Sequence, residues 1–218
     1  MKDKEYLNAE ENVQEEERGE EETKKRSFLR ELFSFVEIFV VAFLLAQFMT
    51  RFVVINAEVP SESMENMIEP GDRLFGFRLA YAFDDPKRYD VVIFRYPVDE
   101  TQNYIKRVIG LPGEKVEIRE GKIYIDDSDV PLEEPYLPEE WVDDNDGYVF
   151  HVPTDCYLML GDNRNISLDA RFWAGKALET GVAANQEDAD SYTYVTSEQI
   201  LGKAVIKYFP NIESLLSY

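Results

Sequence analysis

The sequence predicts an all-β fold, an antiparallel sheet with a β-hairpin insertion subdomain, preceded by one amino-terminal transmembrane helix. Three observations predict it. A single apolar segment of membrane-spanning length, Leu32–Met49, lies near the amino terminus. Beyond it the chain breaks into short runs rich in β-branched and aromatic residues. Turn signals separate these runs, Glu69-Pro70-Gly71-Asp72 and Glu120-Gly121 among them.

Composition narrows the function classes. With 218 residues, 44% hydrophobic and 31% charged, the chain suits one membrane-anchored domain carrying an inserted subdomain. A net charge of -21 excludes nucleic acid as a partner, because its phosphates require a basic surface. The lone Cys156 cannot form an internal disulfide and reads as a buried, inert thiol. A catalytic cysteine would need a base, and His151, the only histidine, lies close by in an apparent strand.

Residues 1–31 read as a cytoplasmic tail. Met1–Thr23 is polar and acidic, with too little apolar surface to bury, and is expected to be disordered. Lys24, Lys25, Arg26 and Arg30 then form a basic, membrane-proximal cluster. The anchor is placed at residues 32–50. Leu32–Met49, broken only by Ser34, Glu37 and Gln47, spans about 27 Å as a helix, just enough for a hydrocarbon core. Basic residues before it outnumber those shortly after it, so the amino terminus is expected in the cytoplasm and residues 51–218 outside. Gln47-Phe48-Met49-Thr50-Arg51 does not resemble a cleavage site, so the anchor is expected to be retained as a single pass of the cell membrane, with lipid as a partner.

In the outer part the expected strands are Arg51–Glu58, Arg73–Arg78, Asp90–Tyr96, Tyr104–Ile109, Lys115–Arg119, Lys122–Ile125, Tyr148–His151, Tyr157–Leu160 and Leu201–Tyr208. Residues 115–151 read as the hairpin insertion, irregular and acidic between Asp126 and Gly147, and residues 175–193 as a second, loop-like insertion. Asp143-Asp144-Asn145-Asp146-Gly147 fails as a calcium loop. With Gly147 at the sixth position, the first and twelfth would be Val142 and Pro153, which carry no carboxylate. No metal site is expected.

Three stretches carry chemistry. In Glu58-Val59-Pro60-Ser61-Glu62-Ser63-Met64 the serines beside proline make a turn, or Ser63 is a nucleophile if a base lies within hydrogen-bond reach. Lys106, sharing a strand face with Tyr104 and Val108, is the candidate base; the alternative is an exposed strand lysine. Gly161-Asp162-Asn163-Arg164, followed by Ser167, Asp169 and Arg171, would by itself be a hydrogen-bonded turn.

Together and in this order, the three stretches resemble the boxes of bacterial type I signal peptidases, membrane-anchored serine proteases with a Ser/Lys dyad. The resemblance runs from the anchor to Gly202-Lys203-Ala204 and leaves out the tail and the insertions. It implies that the antiparallel sheet is a catalytic core, with Ser63 as nucleophile, Lys106 as neutral general base, and neither cofactor nor metal. Ser61 would contribute to the oxyanion hole, Ser167 would hold the lysine amine, and Asp169 with Arg171 would shape the site. Val59, Ile68, Leu74 and Ile105 would line shallow pockets for the small residues of an Ala-x-Ala cleavage site, although each could equally be core. The implied partners are the signal peptides of exported preproteins, with the secretion machinery as a further neighbour.

The sequence departs from the resemblance at Glu62, where glycine is usual, at Glu65-Asn66-Met67-Ile68, at Ala170 in place of serine, and in the added residues 175–193. Two other readings stay open. One is a catalytically inactive, membrane-tethered β-domain that binds exported peptides or an envelope partner. The other, a self-cleaving repressor with a similar dyad, fits poorly with an anchor and no DNA-binding segment.

Overall fold

The computed structural model describes residues 30–142 and 146–216. The acidic tail, Lys24, Lys25 and Arg26, and the Asp143-Asp144-Asn145 part of the rejected calcium loop lie outside the described residues. The chain divides into two units, Met1–Met49 and Thr50–Tyr218. Helix α1, Arg30–Val53, is long and apolar enough to cross a membrane, and none of its residues is buried. It ends in a π-helical turn, Met49–Val53, so the helix outruns the expected 32–50 and the first strand starts at Val54 rather than Arg51. Continuing the helix satisfies these backbone groups within the segment, which a strand edge cannot do.

Every strand pairing in the second unit is antiparallel. Its strands are β1 (Val54–Glu58), β2 (Arg73–Phe77), β3 (Val91–Tyr96), β4 (Asp99–Gly110), β5 (Lys115–Arg119), β6 (Lys122–Ile125), β7 (Val149–His151), β8 (Cys156–Leu160), β9 (Val195–Thr196), β10 (Ile200–Phe209) and β11 (Glu213–Ser214). The larger sheet runs β1-β2-β10-β3-β4-β8-β9, with β11 on β10. At its centre β3 reads Val-Val-Ile-Phe-Arg-Tyr, and only Arg95 is exposed, as a strand covered on both faces requires. The pairing of β3 with β4 sets Val92 opposite Lys106, which places the candidate base in the middle of the sheet.

β5, β6 and β7 form a separate three-stranded sheet, in the order β6-β5-β7. Glu120 and Gly121 both have positive φ, 51° and 66°, the signature of a tight hairpin turn whose twist matches the strands. Val116, Ile118, Ile123 and Phe150 from this sheet join Phe94, Val108, Leu158 and Trp173 in one apolar core.

Residues 175–193 are not loop-like. Helix α2 (Ala170–Glu179) enters the segment and α3 (Gln186–Ser191) fills much of the rest. The Asp169 carboxylate caps α2 by accepting from the Arg171 N–H, and Asn185 caps α3 by accepting from Asp188. Gly181, at φ 74°, closes α2 in the left-handed conformation that glycine adopts without strain. The apolar face is made mostly of alanines, so periodicity alone gives a weak signal. Trp173 is fully buried against the rings of Phe94, Tyr96 and Tyr104, at centroid distances of 5.8, 5.7 and 6.4 Å. Trp173→Ala is therefore expected to lower unfolding stability by about 3–5 kcal/mol in chemical denaturation. Shortening the segment should be similarly costly, and an unchanged denaturation midpoint in Trp173→Ala would place the helix outside the core.

Candidate active site

The turn that carries Ser63 is set by what precedes and follows it. Past β1, the Val59 N–H donates to Asp72 O at 3.0 Å and Gly71 N–H donates to Val59 O at 2.8 Å, tying the chain to the turn before β2. Glu62–Met64 then forms one 3-10 turn. Met64 is completely buried beside Ile68 and Leu74, so the turn is anchored by its last side chain and Ser63 is held against the domain.

Ser63 Oγ and Lys106 Nζ lie 2.5 Å apart, and both residues are buried. The amine is also 5.6 Å from the centre of the Tyr104 ring on the same strand face. Burial pulls the Lys106 pKa down from 10.5 to about 8; Asp169 and Asp162 oppose the shift, and Arg171 adds to it. Roughly a tenth of the amine is then neutral at pH 7, far more than for a solvated lysine.

The third stretch closes over this pair. Asn163 N–H donates to Ser63 O at 3.1 Å, and Asn163 Nδ2 donates to Glu65 Oε2 at 2.8 Å. Gly161 is required here, because a Cβ at that position would meet Ser167 Oγ at 2.1 Å and Ser63 O at 2.5 Å. Asp169 and Arg171 form a buried two-pronged pair with both contacts at 2.8 Å; Asp169 also accepts from Gly161 N–H and Arg171 donates to Arg164 O. Asp169 and Arg171 are thus brought together, and their further contacts are to the backbone of the Gly161–Arg164 loop.

Ser167 is a correction. It is buried beside Gly161, but among the described residues its Oγ has no hydrogen-bond partner, so the expected bond to the Lys106 amine is not made. Ser61 is exposed, with its Oγ 3.3 Å from Ser63 Oγ.

A groove of about 1010 Å³ opens onto Ser63 and Lys106. Val59 and Ile105 line it, together with Glu58, Glu62, Gln102 and Ile166. Ile68 and Leu74 do not line it; both are fully buried in the core that supports Val59 and Met64. These two follow the packing alternative, because apolar residues flanking a turn are needed to anchor it.

Several residues that matter were missed as partners. Arg107, next to Lys106, points to the opposite strand face and holds Asp162 through Nε at 2.8 Å and a second guanidinium nitrogen at 2.5 Å. The Arg107 guanidinium stacks 3.9 Å over the centre of the Tyr136 ring. Arg164 pairs with Glu134 from the irregular segment at 2.5 and 3.1 Å. The available signal was an arginine or aspartate beside each candidate site residue in an otherwise apolar neighbourhood, where an ion needs a partner.

The chain matches the protein family described as signal peptidase, peptidase S26, over residues 32–209. Signal peptidase I of Leptolyngbya laminosa is 35% identical over 164 residues, covering 70% of this chain and 67% of the relative. A probable signal peptidase I-2 of Synechocystis is 32% identical over 180 residues, 78% of this chain and 70% of that one. Among solved structures, a signal peptidase I from Enterococcus faecalis is 28% identical, with a TM-score of 0.40, over 55% of this chain and 97% of the other. With the family matched across the helix, the serine turn, the lysine strand and the closing loop, this chain belongs to the signal peptidases of peptidase family S26.

Proposed function

We propose that the protein is a membrane-anchored serine endopeptidase that removes signal peptides from exported preproteins, cutting after small residues in Ala-x-Ala sites. The observation that carries this reading is the 2.5 Å approach of Ser63 Oγ to a buried lysine amine whose pKa is brought close to neutrality. A β-domain that only bound peptides would have no use for a lysine desolvated against a serine.

The reaction follows from the arrangement. Neutral Lys106 Nζ accepts the Ser63 proton as Oγ attacks the carbonyl carbon of the scissile bond. Negative charge then develops on the carbonyl oxygen, where the Ser63 N–H and the Ser61 hydroxyl can donate to it. The resulting Lys106 ammonium, favoured by Asp169 and Asp162, returns the proton to the departing amine. Water, deprotonated by the same amine, releases the acyl group from Ser63. Asp169 and Arg171 keep the Gly161–Arg164 backbone over the dyad.

β1 ends the larger sheet and pairs there with β2 alone among the described strands, so its outer edge can take an extended peptide as an added strand. Val59 and Ile105 would then meet the small side chains before the scissile bond. Helix α1 would be the anchor, with the amino terminus in the cytoplasm and the β-domain outside, where translocated preproteins leave the secretion machinery.

One experiment tests chemistry and orientation together. In sealed membranes of native orientation, a membrane-impermeant Ala-x-Ala peptide added outside should be cut, and Ser63→Ala should abolish the cut. Cleavage only after detergent treatment would overturn the orientation; no cleavage under either condition would overturn the activity.

A further inference from the structure

Next to the nucleophile, the groove carries a carboxylate that the reaction does not use. Glu62 lines the groove and is exposed, and among the described residues no hydrogen bond or ion pair engages its carboxylate. The other carboxylate of the groove wall, Glu58, is paired with Arg73 at 3.2 Å. The only cationic side chain among the lining residues is Lys106, which is buried and committed to Ser63. The remaining lining residues are neutral, so the groove holds one uncompensated negative charge, placed where the bond is cut.

The turn geometry fixes that placement. In a 3-10 turn successive side chains point about 120° apart. With Met64 locked in the core and Ser63 turned to Lys106, Glu62 is left facing the open side of the groove. A peptide acylating Ser63 must pass this carboxylate, and it excludes water as it settles, which strengthens any charge interaction there.

We propose that Glu62 is a specificity-determining residue that favours substrates with a basic side chain within two residues of the scissile bond and disfavours acidic ones. This rests on the groove being the substrate site of the peptidase proposed above. The same carboxylate opposes the negative charge developing on the carbonyl oxygen, and a substrate cation beside it offsets that effect. The preference should therefore enter kcat as well as KM. A unit-charge contact at this partly exposed distance corresponds to about a five- to tenfold effect on kcat/KM, weakening as salt screens it.

The test uses the full chain in detergent micelles, at fixed pH and low ionic strength, with three peptides sharing an Ala-x-Ala site followed by Lys, Gln or Glu. The Lys peptide should exceed the Glu peptide about five- to tenfold in kcat/KM. In Glu62→Gln the ratio should fall towards one, and in Glu62→Lys it should invert; added salt should shrink the wild-type ratio. Equal cleavage by the wild type overturns the proposal, as does a ratio that survives Glu62→Gln, which would belong to the overall charge of -21. Failure to cut any of the three peptides would instead overturn the peptidase reading on which the proposal rests.

Discussion

Lys106→Arg is expected to lower peptide cleavage by about a thousandfold or more while leaving the fold intact. Arginine keeps the positive charge but stays protonated at every accessible pH, so it cannot take the Ser63 proton. In the wild type, cleavage should rise with pH through about 8, since below that value the buried amine is charged and has no lone pair. Stability carries the same signature. Folding lowers the Lys106 pKa from 10.5 to about 8, so between these values the unfolded chain binds more protons and stability rises with pH. At pH 7 the whole penalty is present. Lys106→Met should therefore be inactive yet unfold at a higher temperature than the wild type at pH 7, with the difference shrinking towards pH 10. An active Lys106→Arg protein, or a pH profile flat through 8, would refute the lysine base.

Breaking the buried Arg107–Asp162 pair should cost much more stability than breaking an exposed pair. Arg107 and Asp162 are essentially unexposed, so Asp162→Ala removes the counter-charge of a buried guanidinium and is expected to destabilise the fold by about 3–5 kcal/mol. Replacing both partners with Met and Leu removes both charges and should recover much of that loss. The exposed Lys176–Glu179 pair provides the contrast. It is largely solvated, and Glu179→Ala should change stability by less than about 1 kcal/mol. Chemical denaturation of the three variants decides the matter. If Asp162→Ala cost no more than Glu179→Ala, the buried pair would not be what holds the closing loop.

The two effects separate because they act on different strand faces. Lys106 and Arg107 are neighbours in β4, and alternation sends one amine to Ser63 and one guanidinium to Asp162. Catalysis and support can then be lost independently, by a substitution that leaves the other side chain in place.

Much of this architecture was legible in the residue order, because strands, tight turns and a membrane-length helix depend on interactions within a few positions. The runs that became β1 to β8 and β10, the Glu120-Gly121 turn and the long apolar helix all follow from local pattern. Ser63 and Lys106 were legible as a pair only through the likeness of their surroundings to a known family; nothing local brings them within 2.5 Å. That distance depends on the register of β4 against β3 and on the buried Met64 that anchors the serine turn. The same dependence explains what went unread. Alanines and side-chain caps make α2 and α3 where composition suggests a loop, and Ile68 and Leu74 face the core rather than the groove. Among the described residues the Ser167 hydroxyl has no hydrogen-bond partner, and Arg107 and Arg164 find Asp162 and Glu134. Each of these outcomes is set by packing and charge burial between segments distant in sequence, whose free energy exists only once the sheets have assembled.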